Sequence, residues 1–331
     1  MKAIRIHAHG GPEQLRLEDI ELPPPAADEA RVRHTAIALN FSDINVRRGG
    51  FYQPEPMPMP LIPGNEAAGV VEAVGADVTD WKVGDRVAYA GMRGPFYRFT
   101  GAYAAARNVP AERLARAPDG VSDALACSVL LKGATAASVI EKLYPPKAGD
   151  VILIHAAASG VGAMLTQWAS HLGAIVIGTV GSAAKAEAAR ASGAAHTILY
   201  RETDFVAGVK AIVPEGVHAV FDGVGADTFV KSFDCVRPFG TLVNYGNASG
   251  HVPPIDMIDL AIKGSLSISR PAVSYFLASP RLRETAARLY DLVAQGVLRP
   301  EIAATYPLEE AAQAHRDVEA GKHAGVVVLT P

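Results

Sequence analysis

Residues 151–180 read VILIHAAASGVGAMLTQWASHLGAIVIGTV, and this run leaves few choices of fold. A buried-type strand, VILIHA, meets a small-residue turn at Ala158-Ser159-Gly160. A helix follows, with Val161, Leu165 and Trp168 at helical spacing, and then a second apolar strand. Two such strands joined through a helix lie parallel, with a right-handed crossover, so helices must cover both faces of their sheet. The alternation continues as HTILY, a helix, HAVFDGV, a helix and TLVNYG. A doubly wound parallel sheet is therefore expected over residues 122–268.

The flanks read differently. Residues 1–121 hold short strands with partial alternation (KAIRIHA, LRLEDIEL, EARVRHTAIALN), interrupted by Pro23 to Pro25, Pro54 to Pro60 and Pro63-Gly64. This is the pattern of an irregular, mostly β domain. Residues 269–331 follow with two amphipathic helices, about Arg281 to Gln295 and Leu308 to Ala320, and a last strand, GVVVL. That tail is too short to form a domain alone, and we expect it to pack on the N-terminal β domain, which makes the parallel sheet an insertion.

With 331 residues, 49% of them hydrophobic, there is ample material for two cores. A net charge of -3, without a dense Lys/Arg block, offers no footprint for nucleic acid or anionic lipid. The start, MKAIRIHAHGG, lacks an apolar signal core, and the later apolar runs are cut before the roughly 18 residues of a membrane span, so a cytoplasmic protein without a membrane partner is expected. Cys127 and Cys235 form neither a disulfide framework nor a zinc-lobe spacing and read as buried thiols. His155 reads as structural. There is no nucleophile elbow, so a hydrolase is not supported.

The turn after VILIHA is a candidate phosphate loop. Ala157, Ser159 and Gly162 occupy the three places of a G-x-G-x-x-G fingerprint, and Ser159, Gly160, Val161 and Gly162 open a helix whose free N–H groups and positive dipole end suit a pyrophosphate. The next strand, AIVIGTV, ends without the Asp or Glu that binds the two ribose hydroxyls of NAD. Gly181, Ser182 and Lys185 follow instead, with Tyr200 at the end of the strand after. Lys185 reads either as a solvated first-turn lysine or, because a cation is misplaced at a helix N-terminus, as the partner of an anion: the 2'-phosphate of NADPH.

These segments resemble the zinc-independent quinone oxidoreductase branch of the medium-chain dehydrogenases/reductases, the zeta-crystallin-like group. The resemblance runs through nearly the whole chain, in LNFSDINVRRG, PGNEAAGVVEAVG, VGDRVAYA, LLKGATA, HAAASGVG, QWASHLGA, IGTVGSAAK, YRETDF, FDGVG, VNYGNASG and SISRP. It implies an α/β protein: a GroES-like, mostly-β catalytic domain built from both chain ends plus an inserted Rossmann domain, with NADPH as cofactor and usually a homodimer. Zinc-dependent cousins carry a Cys in the region of Asn40 to Asp43 and a His at the position of Asn65, so no metal site is expected here.

Carried over residue by residue, the family's pocket maps onto Asn40, Asp43 and Tyr52. Asn40 is expected to hydrogen-bond the cofactor or a quinone oxygen, and Tyr52 to stabilise oxyanion charge or supply a proton. Asp43 reads either as functional or as a helix-start carboxylate. Lys132 and Thr135 match a segment that approaches the cofactor, Tyr245, Gly246 and Asn247 should end a sheet strand, and Arg270 should lie near the nicotinamide or form an interdomain salt bridge. The stretch 91–100, with Phe96, Tyr97 and Phe99, is either a lid over the substrate entrance or packing against the β domain or a dimer partner. The implied activity is metal-free reduction of a quinone. An enone, alkenal or enoyl-thioester reductase on the same scaffold is one alternative, and a non-catalytic NADPH-binding protein is another.

Overall fold

The computed structural model describes residues 1–49, 58–91, 101–278 and 281–331, so Tyr52 and the aromatic stretch 92–100 lie outside the described residues. The strands, in chain order, are β1 (Lys2–Arg5), β2 (Arg16–Asp19), β3 (Glu29–Ala38), β4 (Glu66–Val74), β5 (Arg86–Ala90), β6 (Ala106–Pro110), β7 (Leu114–Arg116), β8 (Val151–Ile154), β9 (Ile175–Val180), β10 (His196–Leu199), β11 (Val217–Asp222), β12 (Val236–Asn244), β13 (Ser267–Ser269), β14 (Ile302–Pro307) and β15 (Val326–Thr330). The helices are α1 (Phe41–Arg48), α2 (Asp123–Ala137), α3 (Gly160–His171), α4 (Ala183–Ala191), α5 (Phe205–Ile212), α6 (Met257–Ile262), α7 (Val273–Phe276), α8 (Arg281–Ala294) and α9 (Ala311–Glu319).

The chain divides into two compact units. One comprises Met1–Ala134, Ala272–Ala294 and Pro300–Pro331; the other comprises Thr135–Pro271 and Gln295–Arg299. In the first, a mixed sheet runs β14-β15-β3-β4-β5-β7, with β6 also on β3. The C-terminal β15 pairs antiparallel with β3 through Val328 opposite Ala38 and Leu329 opposite Ile37, so both chain ends share one sheet. Its core gathers Ile4, Val32, Ile37, Val71, Val87, Tyr89, Tyr103, Leu114 and Leu329. Most of α2 belongs to this unit rather than to the parallel one. The reason is a side chain: Glu66 Oε2 accepts from the Leu131 amide at 2.8 Å and Glu66 Oε1 from Lys132 Nζ at 2.6 Å.

The segment Asp123–Leu143 is long and apolar enough to cross a membrane by length and composition, yet 83% of its most apolar window is buried in the protein. Lys132, in the middle of it, is buried with Glu66 as its counter-ion, which marks a core helix.

The second unit is a six-stranded, all-parallel sheet in the order β10-β9-β8-β11-β12-β13. Strand order reverses between β8 and β11, the switch point at whose C-terminal ends such sheets bind ligands. Leu153, Ile177, Val220 and Leu242 from the central strands pack with Phe205 and Val209 of α5, as the continuous apolar runs predict. The helix expected between HAVFDGV and TLVNYG is not formed. A bend at Gly223–Gly225, with Asp222 Oδ1 accepting from the Val224 and Gly225 amides, is followed by only a short 3-10 helix, Lys231–Cys235. The Asp222 side chain offers the backbone a turn, and the turn wins over a crossover helix.

Gly162 shows why the last place of the loop fingerprint is glycine. A Cβ there would overlap the Ala156 carbonyl oxygen and approach Ser159 Oγ to 2.9 Å, so α3 could not sit so close to β8. Gly162→Ala is expected to lower unfolding free energy by about 1–3 kcal/mol, the range for overpacking a tight contact, read from a denaturant melt. A variant as stable as the wild type would contradict this account of the loop.

Candidate active site

At the nucleotide end of the second unit the backbone is prepared before any side chain acts. Ala156 takes a left-handed conformation (φ 52°), and Ser159 caps α3, its Oγ accepting from the Gly162 amide at 3.1 Å. The amides of Gly160 and Val161 lie in the first turn, where a helix has no acceptor of its own for them. Small residues beneath keep the approach open: a Cβ on Gly178 would come within 2.7 Å of Ala157 Cβ.

At the end of β9, Ser182 caps α4 and accepts from the Lys185 amide at 3.4 Å. Gly181 lies under Tyr200, whose Oη would be 2.8 Å from a Cβ at that position, with Arg201 Nε at 3.5 Å. The structure thus gathers Gly181, Ser182, Lys185 and Tyr200 and adds Arg201. Partial burial lowers the Lys185 ammonium from its ordinary pKa, and the neighbouring Arg201 charge lowers it further. Two cations brought together at a helix N-terminus favour an anion between them. Sequence reasoning stopped one residue short: Arg201 follows Tyr200 directly, at the end of β10.

At the C-terminal end of β12, Tyr245, Gly246, Asn247 and Arg270 are also brought together. Arg270 donates to the side-chain oxygens of Asn244 and of Asn247, the latter at 2.6 Å. Asn244 and Asp222 were missed by the motif reading. Asn244 Nδ2 donates to Gly246 O at 2.8 Å and so sets the turn, while Tyr245 covers Gly223, where a Cβ would meet its ring at 2.6 Å. These two Arg270 contacts lie within this unit. Thr135 sits in α2, where its carbonyl accepts from Ser138 Oγ. His155, between Thr179 Oγ1 and Ser232 Oγ at 2.9 Å each, is a buried core residue.

The first unit holds a buried polar cluster that motif reading reached only in part. Asn40 caps α1. Its Nδ2 donates to Ala38 O (3.1 Å) and Glu66 Oε1 (2.9 Å), while its Oδ1 accepts from Lys132 Nζ (2.8 Å). Both amide hydrogens are therefore spent inside the protein, so the expected hydrogen bond from Asn40 to a quinone oxygen has no donor left; only acceptor capacity remains on Oδ1. Lys132 is likewise occupied by Glu66 and Asn40, leaving one N–H of its ammonium beyond those two bonds.

Asp43, fully buried, accepts from the Asn40 amide (2.9 Å), from Asn65 Nδ2 (2.7 Å) and from Tyr103 Oη (3.3 Å). Burial pushes its carboxyl up to about 7, against the pull of those donors and of Lys132. Asp43 is thus both a helix-start carboxylate and the centre of a network. Tyr103 Oη lies 3.0 Å from His315 Nε2, Arg47 donates to His315 Nδ1 at 3.3 Å, and Glu319 pairs with Arg47 and Arg48. His315 and Arg47 meet Asp43 only through tertiary folding, and no sequence motif signals them.

The region where zinc-dependent relatives place metal ligands offers the amides of Asn40 and Asn65, the Ser42 hydroxyl and the Asp43 carboxylate, which already accepts from three donors. Among the described residues no three His, Cys, Asp or Glu side chains converge as a metal site. A catalytic zinc requires three such ligands, so the donor set does not fit it.

Taken together, the fold and these clusters define a nucleotide-binding reductase scaffold: a parallel-sheet unit with a cationic pocket and a β unit with a buried polar centre. Known proteins agree. Residues 26–119 match the alcohol dehydrogenase GroES-like domain, and residues 192–329 match a domain described as zinc-binding dehydrogenase. The quinone oxidoreductase of Pseudomonas aeruginosa is 42% identical over 332 residues, covering 100% of this chain and 99% of that one. A 2-haloacrylate reductase of a Burkholderia species is 41% identical, covering 98% of each. The Escherichia coli quinone oxidoreductase, solved in complex with NADPH, superposes with a TM-score of 0.94 at 38% identity over the whole of both chains. The chain belongs to the quinone oxidoreductase family, in the zinc-independent branch of the medium-chain dehydrogenases/reductases, and is an oxidoreductase.

Two expectations follow. Removing the charge in Lys185→Ala should narrow the preference for NADPH over NADH by roughly tenfold to a hundredfold, the worth of one charge-assisted contact, with Arg201→Ala acting in the same direction; equal losses for both cofactors would count against the pocket. The second concerns pH. Burial depresses His34 to about 4 and His315 to about 3, so on acidification below 6.5 the unfolded chain takes up protons that the fold refuses, and stability falls. Asp43 opposes this, because between 3.8 and about 7 the fold holds a proton that the unfolded chain releases. Asp43→Asn should therefore lose stability more steeply than the wild type from pH 6.5 down to about 4. Thermal melts separated by a constant interval across that range would refute the sign.

Proposed function

We propose that the chain is a metal-free reductase that uses NADPH to reduce quinones. The observation that carries the reading is the pair Lys185 and Arg201 at the N-terminus of α4, beside a strand end without a carboxylate. In this reading the first-turn amides of α3 and the Ser159–Gly162 loop hold the pyrophosphate. Lys185, Arg201 and Ser182 hold the 2'-phosphate, with Tyr200 flanking it. Tyr245, Gly246, Asn247 and Arg270, at the C-terminal edge of the sheet, together with Thr135, serve the rest of the cofactor. Bound NADPH supplies a hydride.

The protein's part on the substrate side falls to the first unit. Asn40, Asp43 and Lys132 form the polar floor of the substrate site, and Tyr52 joins them as the family resemblance implies. The remaining N–H of Lys132 is the cationic donor available to a carbonyl oxygen that gains electron density, a role that Asn40 cannot take. Electron-poor acceptors suit this site because no Lewis acid is required of it.

A second reading is favoured by the 41% identity to a 2-haloacrylate reductase: reduction of a C=C bond activated by a neighbouring carboxylate or carbonyl. Oligomerisation has its own support. Met257, Ile258 and Ile262 of α6 and Phe239 are 57% to 81% exposed in the unit whose sheet ends at β13, and a second copy covering that apolar edge makes a homodimer. The reading places the enzyme in the cytoplasm.

The test is an acceptor panel. Consumption of NADPH, followed by absorbance, should be fast with a benzoquinone and slower with a 2-haloacrylate or a simple enone, and NADH should replace NADPH poorly. The opposite order of acceptors would favour the second reading, and tight NADPH binding without turnover on any acceptor would leave a binding protein.

A further inference from the structure

Among the described residues of the first unit, one buried side-chain acceptor is left without a donor. Asn65 is 2% exposed, and above a pH of about 7, where Asp43 is ionised, its amide cannot flip: Nδ2 lies 2.7 Å from Asp43 Oδ1 and 3.2 Å from Ser42 Oγ, and a carboxylate only accepts. The nitrogen must face Asp43, so Oδ1 points the other way. Among the described residues no donor meets Oδ1. A buried carbonyl left in this state costs about 1–3 kcal/mol, and folded proteins hold few of them.

The orientation is held from further back. Arg47 can only donate, so His315 Nδ1 is the acceptor and Nε2 carries the hydrogen. That hydrogen goes to the Tyr103 oxygen, and the Tyr103 O–H goes to Asp43 Oδ2. Donation runs one way, from guanidinium to carboxylate. Because the guanidinium keeps its protons, the chain is no conduit to solvent; it fixes Asp43 Oδ2 as an acceptor, and the ionised Asp43 in turn fixes Asn65 through Oδ1.

We propose that Asn65 Oδ1 accepts a hydrogen bond from a ligand hydroxyl, the O–H formed when a bound quinone is reduced, and that Asp43, Tyr103, His315 and Arg47 are its positioning residues. This rests on the quinone reading above. A quinone takes a hydride from NADPH and one proton from solvent to give hydroquinone and NADP+, so both oxygens end as hydroxyls. A quinone oxygen presents only lone pairs, which an amide oxygen repels, whereas a hydroxyl satisfies it. The contact exists only after the proton has arrived, and so it favours the reduced ligand over the oxidised one. Reduction of an activated C=C bond to a saturated product creates no such hydroxyl, which makes Asn65 a discriminator between the two substrate classes.

The experiment measures binding to the full-length protein with NADP+, by calorimetry at a pH above about 7 where Asp43 is ionised, of hydroquinone and of its dimethyl ether, in which both hydroxyls are capped. The wild type should prefer hydroquinone by roughly 3- to 10-fold, the range for one neutral hydrogen bond. In Asn65→Leu the preference should vanish. In Asn65→Asp, which keeps an oxygen at the site, part of it should survive. Equal affinity of the wild type for both compounds, or a preference that persists in Asn65→Leu, overturns the inference and leaves a purely structural amide. If Asn65→Leu does not fold, the wild-type comparison and Asn65→Asp still decide. Failure of the quinone reading looks different: NADPH binds, but neither aromatic compound does and no quinone is reduced.

Discussion

The first unit depends on a carboxylate with no exposed surface. Glu66 is fully buried, and each of its oxygens is engaged: Oε1 by Lys132 and Asn40, Oε2 by the Leu131 amide. A buried ion pair is weak evidence for net stability, since desolvation offsets much of the Coulomb gain, but removing one partner leaves an uncompensated charge at a cost of about 3–5 kcal/mol. Glu66 therefore constrains geometry. It fixes where α2 meets the sheet, and it fixes the amide of Asn40, whose backbone N–H in turn holds Asp43. From Lys132 to Arg48 the polar groups form one connected network, in which each member's orientation is set by the next.

The two units treat charge in opposite ways. In the β unit Lys132 and Arg47 are buried against carboxylate partners, and the buried side-chain acceptor left without a donor among the described residues is neutral, the Asn65 carbonyl oxygen. In the parallel unit like charges are left to interact: Arg201 adds to the cost of the Lys185 charge at a helix end that already repels cations. A satisfied network is rigid and suits the side that must position a reacting group.

Much of this was legible in the chain. The strand, turn and helix of residues 151–171 and the missing carboxylate after AIVIGTV identified the nucleotide fold and its cofactor class, because both depend on residues close in sequence. The short strands and turns of the N-terminal third were legible for the same reason. The helix expected before β12 failed because Asp222 competes locally for the backbone, a contest that periodicity does not register. Asn40 was recognised, but donation to a quinone oxygen, one of the two roles expected of it, was not available, since its donors are spent on Glu66 and Ala38. Asn65 was noted only for the histidine it replaces, and its locked amide depends on Asp43.

By itself, then, the sequence determined the βαβ order, the small-residue turn that opens α3 and a β9 end without a carboxylate, all properties of hydrogen-bond patterns and side-chain types within a few residues of one another. Tertiary structure alone decided which valences remain open. His315 comes to Tyr103 from 212 positions away, and Lys132 reaches Glu66 across 66. Whether a buried donor or acceptor is spent or free is a property of its neighbours in space, and a one-dimensional pattern carries no record of them.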